Sequence, residues 1–368
     1  MNDGERLAEL WLACAPSLSY RAKKKLIASF GSAENVLNDF SAKFQDVVGI
    51  KAYEELKKMK AADVHTLPDR LYAHDIRPLY DEDEDFPQSL ITIPNPPNLL
   101  FVRGSMRGKE ERSIAIVGSR RETRYGREQA FTIAKGLAQN GVTVVSGLAY
   151  GIDRAAHEGA LAGGGRTIAV LGSGLIRIYP KEHIPLAEKI VQAGGAVISE
   201  LSPAAEPLSF HFPFRNRIVS GLCAGVMLVE AREKSGTLIT VTHALEQSRE
   251  VFCLPGPVDS PTSMVPHRLV REGARLATSA ADILEDMGWE EKIEQPSFIP
   301  AKGEDLTSSQ RKIYDALCDE TRSYEELMAL TGLSSQELNA QIPLLEVGGI
   351  VETLPGRNYR LQKQNSHT

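Results

Sequence analysis

Much of what this 368-residue chain is can be read from what it lacks. It has four cysteines, Cys14, Cys223, Cys253 and Cys318, and no C-x-x-C pair. Disulfide frameworks and zinc sites need closer, paired spacing, so buried reduced thiols are expected instead. No His/Cys/Asp grouping shows metal-ligand spacing, so no metal is expected. No apolar run approaches the ~20 residues that span a bilayer. Asp3, Glu5, Arg6 and Glu9 interrupt the N-terminal apolar residues and break the core of a secretory signal. A soluble, cytoplasmic protein without a membrane partner is the expectation. The phosphate loop G-x-x-x-x-G-K-[ST] is absent, and neither Gly118 nor Gly172-Ser173-Gly174 completes G-x-G-x-x-G. Nucleotide hydrolysis and dinucleotide-dependent redox chemistry thereby lose their support. Ser119, Ser146 and Ser173 lie on tight turns without the G-x-S-x-G elbow of a hydrolase nucleophile. No cofactor and no catalytic residue is expected.

What is present is ordered. A hydrophobic content of 42% and a charged content of 24% are those of a globular protein. The net charge of −6 excludes a chain that coats nucleic acid by overall basicity, but it leaves room for a local basic groove. Between Arg112 and Gly256, apolar runs end repeatedly in small or cationic residues. Ile114–Val117 runs into Gly118-Ser119-Arg120-Arg121, and Val142–Val145 into Ser146-Gly147-Leu148-Ala149. Ile168–Leu171 runs into Gly172-Ser173-Gly174. Gly225–Val229 leads to Ser235-Gly236-Thr237, and Val251–Leu254 to Pro255-Gly256. Helical patterns separate these runs, which predicts a parallel α/β sheet with its loops gathered on one rim. Glycine N–H groups and helix N-termini on that rim suit phosphate.

Cations gather on the same loops. Arg120, Arg121, Arg124 and Arg127 follow the first run, Lys181 follows Tyr179-Pro180, and Arg215 and Arg217 flank Asn216. Each alone is ordinary surface charge, but together they predict a ligand with several phosphates. Tyr125, Tyr150, Tyr179, Phe212 and Phe214 are near enough to stack on splayed bases, the pattern of single-strand binding. Core packing competes for Phe210, Phe212 and Phe214. Asp153 and Glu200 read either as catalytic carboxylates or as structural groups. Asp153 suits a helix cap, and Glu200 and Glu230 suit ion pairs with the Arg-Asn-Arg segment.

The expected organisation has three domains, a connector and a linker. Residues 1–62 read as short helices with glycine turns, the grammar of a helix-hairpin-helix (SAM-like) unit that either binds nucleic-acid backbone or serves as scaffold. Residues 63–111 read as a connector with the acidic run Asp81–Asp85 and a short strand at Leu99–Val102. Residues 112–288 form the extended Rossmann-like, doubly wound, mostly parallel sheet. Residues 289–304 are a linker. Residues 305–362 read as a C-terminal winged helix. Its third helix, Ser335–Val347, carries Glu337 and Glu346, no Lys or Arg, and a Pro343 expected to kink it. That composition suits a partner-binding or regulatory module better than a major-groove reader.

Several motifs recur in order across the central domain. They include Gly118-Ser119-Arg120 with Tyr125-Gly126, Ser146–Ala149 with Gly151-Ile152-Asp153, and Gly172–Leu175 with Tyr179-Pro180. Phe212-Pro213, Arg215-Asn216-Arg217-Ile218, Ser220-Gly221-Leu222, Glu230-Ala231, Ser235–Thr240 and Pro255-Gly256 follow. In combination the chain closely resembles the DprA/Smf family of bacterial DNA-processing proteins. The resemblance implies a non-catalytic protein that binds single-stranded DNA, protects it during natural transformation and helps load the RecA recombinase. It implies a homodimer joined through the Rossmann domain, with Leu245, Val270 and Leu276 as contact positions. Arg120 and Lys181 match the family's DNA-contacting positions, and Arg215, Asn216 and Arg217 lie in its F-P-x-R-N-R motif. With Gly118, Ser119, Gly147, Gly172 and Gly174 these make up the expected DNA site. The chain departs from the family pattern at Ile176, at His183 and at Ser263–His267, and these changes leave the cations intact.

Two rival readings come from other classes. A Rossmann-type nucleoside-monophosphate glycosidase, related to lysine-decarboxylase-like proteins, would carry P-G-G-x-G-T-x-x-E, and Pro255-Gly256-Pro257-Val258 does not supply it. A winged-helix transcription regulator is opposed by the acidic third helix.

Overall fold

The structure is a computed structural model that describes residues 2–106, 112–233, 235–289, 306–318, 320–347 and 350–361. The chain divides into two compact units, Met1–Lys292 and Ile293–Thr368. Apart from Trp289, the expected linker lies outside the described residues.

The first unit is built on a nine-stranded sheet. In chain order its strands are β1 (Arg77–Tyr80), β2 (Leu99–Gly104), β3 (Ser113–Val117), β4 (Thr143–Ser146), β5 (Thr167–Val170), β6 (Ala196–Ser199), β7 (Gly225–Leu228), β8 (Glu250–Cys253) and β9 (Arg275–Leu276). Across the sheet they run β1-β2-β6-β5-β4-β3-β7-β8-β9. From β6 to β9 every pairing is parallel, while β1–β2 and β2–β6 are antiparallel. The five expected strands all form. Two more, β6 and β9, join them, β9 with only two residues. The segment read as a connector supplies β1 and β2, so the sheet extends beyond residue 112.

Both faces of the sheet are covered, which explains why its strands are apolar throughout rather than alternating. Before the sheet come α1 (Asp3–Ala13), α2 (Tyr20–Phe30), α3 (Ala33–Asn38), α4 (Gln45–Val48), α5 (Ile50–Ala61) and α6 (Leu67–Tyr72). Within it come α7 (Arg124–Gln139), α8 (Ile152–Ala162), α9 (Ile184–Gln192), α10 (His211–Gly221), α11 (Thr237–Glu246), α12 (Met264–Arg271) and α13 (Ala280–Asp286). Ile114, Ile116 and Val144 pack with α7 and α8 on one face. Ala115, Val117 and Val145 pack with α10 and α11 on the other.

The N-terminal helices join this core directly. Trp11 is fully buried and donates its indole N–H to the Leu56 carbonyl at 3.1 Å. The cluster around it includes Phe101, Ala169 and Val197 of β2, β5 and β6. Residue 62 therefore marks no break in packing. The glycine turns are as expected: Gly31 closes α2, and Gly49 joins α4 to α5, both at φ +84°. Among the described residues no helix is long and apolar enough to cross a membrane. None of the four cysteines is in a disulfide. Cys223 and Cys253 are buried, as the apolar runs predict, whereas Cys14 is half-buried and Cys318 is exposed. Burial pushes the Cys14 and Cys253 thiols up to about 12.

The second unit is a winged helix. It contains α14 (Ser308–Leu317), β10 (Arg322–Ser323), α15 (Tyr324–Thr331), α16 (Ser335–Val347), β11 (Val351–Leu354) and β12 (Asn358–Leu361). Capping boxes at Thr307/Gln310 and Ser323/Glu326 start α14 and α15. Ile313, Leu327, Leu338, Ile342 and Tyr359 form its core. Residues 348–349, expected to end the third helix, lie outside the described residues.

Phe101 tests whether β2 is integral. It is fully buried within the segment read as a connector. Phe101→Ala is expected to cost about 3–5 kcal/mol in urea unfolding of the full chain. A loss under about 1 kcal/mol, the level of an average substitution, would make β2 peripheral.

Candidate nucleic-acid interface

The sheet reverses direction between β3 and β7. From β3 the chain steps outward through β4, β5 and β6, and from β7 it steps the opposite way through β8 and β9. Loops leaving the two strands diverge, and a crevice opens at their carboxyl ends. Here it is a cleft of about 750 Å³. Gly118, Ser119, Arg120 and Arg121 after β3 form one wall, with Gly147 and Asp153 beside them. Phe212, Pro213, Arg215 and Asn216 of α10 form another, with Tyr179 at its side. Ser235, Gly236 and Thr237 at the start of α11 form a third. No side chain caps the Gly236 end of α11, although the Thr237 N–H is held by the Ser235 hydroxyl at 3.2 Å.

Close approach explains two of the glycines. A Cβ on Gly147 would lie 2.5 Å from Nη2 of Arg215 and 2.7 Å from Oδ2 of Asp153. A Cβ on Gly172 would lie 2.6 Å from the Phe212 ring. Gly174 is instead pressed against the Pro203 and Ser202 carbonyls, away from the cleft lining.

Arg215 is the central cation. Only 6% of it is exposed. It donates Nη1–H to the Gly147 carbonyl at 2.9 Å and Nε–H to Oδ1 of Asn216 at 3.2 Å, and both acceptors are neutral. Burial lowers its pKa to about 10, with Asp153 opposing and Arg120 adding to the shift. It remains a cation at neutral pH, and among the described residues it makes no direct ion pair. Arg120 is exposed, with its guanidinium 5.1 Å from the centre of the Phe212 ring. Two like charges are thus brought near each other at the cleft, an arrangement that an anion would relieve.

The carboxylates nearby are already engaged. Asp153 does not cap its own helix. It accepts the Gly147 N–H at 3.0 Å and the Ala149 N–H at 3.4 Å, and so braces the loop before it. Burial raises its pKa, and Arg215 and the two N–H groups counter that. Glu230 pairs with no arginine. It binds the N–H and hydroxyl of Thr123, the residue capping α7, at 3.0 and 2.6 Å. Glu200 does pair: both its oxygens lie 2.7 Å from Nη2 of Arg217.

That ion pair corrects the expectation for Arg217. Its guanidinium also donates to the Asn95 carbonyl at 2.9 Å and stacks 4.0 Å from the Phe214 ring centre. It is 3% exposed and does not line the cleft. With every donor direction turned inward it serves as an anchor, not as a ligand-facing group. Phe214 is half-buried and packs against Tyr20 of α2. Phe212 and Tyr179 face each other in the cleft at 5.8 Å. Lys181 is exposed on the rim two residues beyond Tyr179, outside the cleft lining. Tyr150 donates its hydroxyl to Glu182 on the same rim, and Tyr125 donates to the Pro255 carbonyl. Phe210, weighed as core from the sequence, is 65% exposed. α10 starts at His211 and buries residues only from Arg215 on, which leaves Phe210 outside the helix.

At the far end of the sheet, Leu245 on α11 is 62% exposed and Leu276 on β9 is 51% exposed. Val270 is half-buried and packs against the core. Among the described residues no group of three or more His, Cys, Asp or Glu side chains is placed to hold a metal ion.

Comparison with known proteins agrees with this geometry. Residues 77–288 match the family model of DNA recombination-mediator protein A, and residues 299–357 match that of the DprA winged helix domain. Protein Smf of Escherichia coli is 38% identical over 286 residues, covering 77% of this chain and 76% of the relative. The crystal structure of DNA processing protein A from Streptococcus pneumoniae superposes with a TM-score of 0.62 at 35% identity, covering 76% of this chain and 97% of that one. DNA processing protein A from Helicobacter pylori, studied for its single-stranded DNA binding mode, gives a TM-score of 0.51 at 27% identity, covering 58% of this chain and 95% of that one.

Removing one partner of the internal ion pair strands a buried charge. Glu200→Ala is expected to destabilise the protein by about 3–5 kcal/mol in chemical denaturation. Adding Arg217→Met to that variant should recover much of the loss. A single variant as stable as the wild type would mean that the pair does not hold α10.

Proposed function

The chain belongs to the DprA/Smf family of DNA recombination-mediator proteins, and from that premise we propose that its cleft binds single-stranded DNA without catalysing a reaction on it. One observation carries the reading: Arg120 and the buried, ion-pair-free Arg215 face the same cleft as Phe212 and Tyr179. Guanidinium groups take phosphates and aromatic faces take bases, which is the chemistry of single-strand binding. The H. pylori relative, studied for its single-stranded DNA binding mode, supports the same assignment. Gly118, Ser119, Gly147 and Asn216 complete the phosphate-facing surface, and Lys181 extends it along the rim. Gly172 and Gly174 shape the loop behind it, and Arg217 holds α10 in position. A non-catalytic role is supported by Glu230, whose two oxygens accept the Thr123 N–H and hydroxyl, and by Asp153, whose Oδ2 accepts two backbone N–H groups. In the cell the protein would protect incoming single strands during natural transformation and hand them to the RecA recombinase.

The test is a titration of fluorescent single- and double-stranded oligonucleotides over a range of salt. Log K for the single strand should fall linearly with log salt, by about 0.7 per phosphate contact. Arg120→Ala and Lys181→Ala should each weaken binding on every sequence and flatten that slope. Equal affinity for duplex and single strand, or no effect from either substitution, contradicts the assignment.

We further propose a homodimer joined at the β9 end of the sheet. The exposed Leu245 and Leu276 support it, and the packed Val270 lies behind them as support. Leu245→Glu should give a folded monomer in native mass spectrometry, because an unpaired charge in a desolvated contact is costly. A dimer that survives the charge places the interface elsewhere.

A further inference from the structure

The wall of the cleft beside α10 continues into residues 203–210, and this segment is tied down. The Gly174 N–H donates to the Ala205 carbonyl at 2.9 Å, and the Ile176 N–H donates to the Pro203 carbonyl at 2.9 Å. Further along, the Leu208 N–H donates to the Glu206 carbonyl at 2.9 Å and the His211 N–H to the Leu208 carbonyl at 3.0 Å. Nδ1 of His211 lies 3.0 Å from the Glu206 carbonyl and must be the donor, because a carbonyl only accepts. Pro207 and Ser209 line the cleft, and so do Phe212 and Pro213. Phe210 stands between these two pairs. It is 65% exposed, the most exposed aromatic side chain among the described residues, and its ring meets the edge of His211 at 4.5 Å. Leu208 is exposed beside it in sequence.

A phenylalanine held in water on a fixed loop loses the burial that would stabilise it elsewhere, so its exposure calls for a partner. The chemistry around it says which. The cleft next to it is cationic and holds an aromatic pair, Tyr179 and Phe212. A polymer whose phosphates enter that cleft carries a flat apolar face on every unit, and the next such face meets the rim. We propose that Phe210 is a stacking platform at the mouth of the cleft, where it takes the base of a nucleotide that adjoins those bound inside. This rests on the single-strand reading above and deepens it. The cations set how strongly binding depends on salt, and Phe210 adds an affinity that depends on bases and not on salt. A ring carried on a hydrogen-bonded backbone costs no loop ordering on stacking, which favours Phe210 over an aromatic on an unanchored segment.

The experiment compares two strands on the full-length protein, a fluorescent oligothymidine and the same backbone with every base removed. Phe210→Ala should weaken binding to the base-bearing strand about tenfold, worth ~1.4 kcal/mol, and leave binding to the abasic strand unchanged. The salt slope should stay at its wild-type value, in contrast to Arg120→Ala. Phe210→Trp should restore the affinity. Equal weakening on both strands would make Phe210 structural and overturn the proposal. Unchanged affinity on both strands, with or without an altered molecular mass, would assign the ring to a protein contact and overturn it as well. In either case single-strand binding by the wild type would still stand. A wild-type protein that binds neither strand overturns both readings together.

Discussion

The buried ion pair between Arg217 and Glu200 is the contact on which the cleft depends. It ties α10 to the end of β6, and the same guanidinium reaches the Asn95 carbonyl in the segment between β1 and β2. Phe214, stacked over that guanidinium, leans on Tyr20 of α2. Three stretches of chain therefore converge on one side chain, with α2 reached through Phe214, and they fix the helix that presents Phe212, Arg215 and Asn216. A planar fork satisfied on all sides can be buried where a lysine would not fit. Two residues earlier in the same helix, Arg215 is nearly as buried but meets only neutral oxygens. One guanidinium is paired directly with a carboxylate and holds structure; its neighbour makes no direct ion pair among the described residues, and Asp153 acts on it only through space.

The acidic residues follow a matching division. The molecule is acidic overall, yet Asp153 and Glu230 beside the cleft turn inward and accept N–H and hydroxyl hydrogens from the loops around it. Each braces a loop through the hydrogens it accepts. A net charge of −6 and a cationic cleft are therefore compatible, because where the carboxylates point matters more than how many there are.

The sequence revealed the rim of the sheet better than its extent. Loops such as Gly118-Ser119-Arg120 and Ser146-Gly147 were readable because a tight turn after a buried parallel strand demands small residues. The winged helix was readable from three helical runs followed by a short hairpin, with Ser323 and Glu326 at capping-box spacing before the second helix. β9 was not, since two residues carry too little pattern to separate from a loop. The role of Arg217 was open for a different reason: its acceptors lie 17 and 122 residues away, and only the folded chain brings them together. Glu230 was the same case, with its partner Thr123 lying 107 residues earlier. The three phenylalanines of α10 and its approach looked alike in sequence. Their fates separate because the helix begins at His211, so one ring stays in water, one lines the cleft and one packs between Arg217 and Tyr20.

The β9 edge of the sheet has a consequence for the life of the molecule in a crowded cell. An open row of unpaired backbone groups invites any passing strand to add itself, and long flat edges are where sheets polymerise. Here the edge is only two residues long, and Arg275 places a guanidinium on it that is held by Glu250 and Asp286. There is too little ladder for a foreign strand to register against, and the charge would have to be stripped of water first. The sheet is in this way guarded against runaway growth, and any association of copies at that end has to be made by side chains, which can be specific, saturable and reversible.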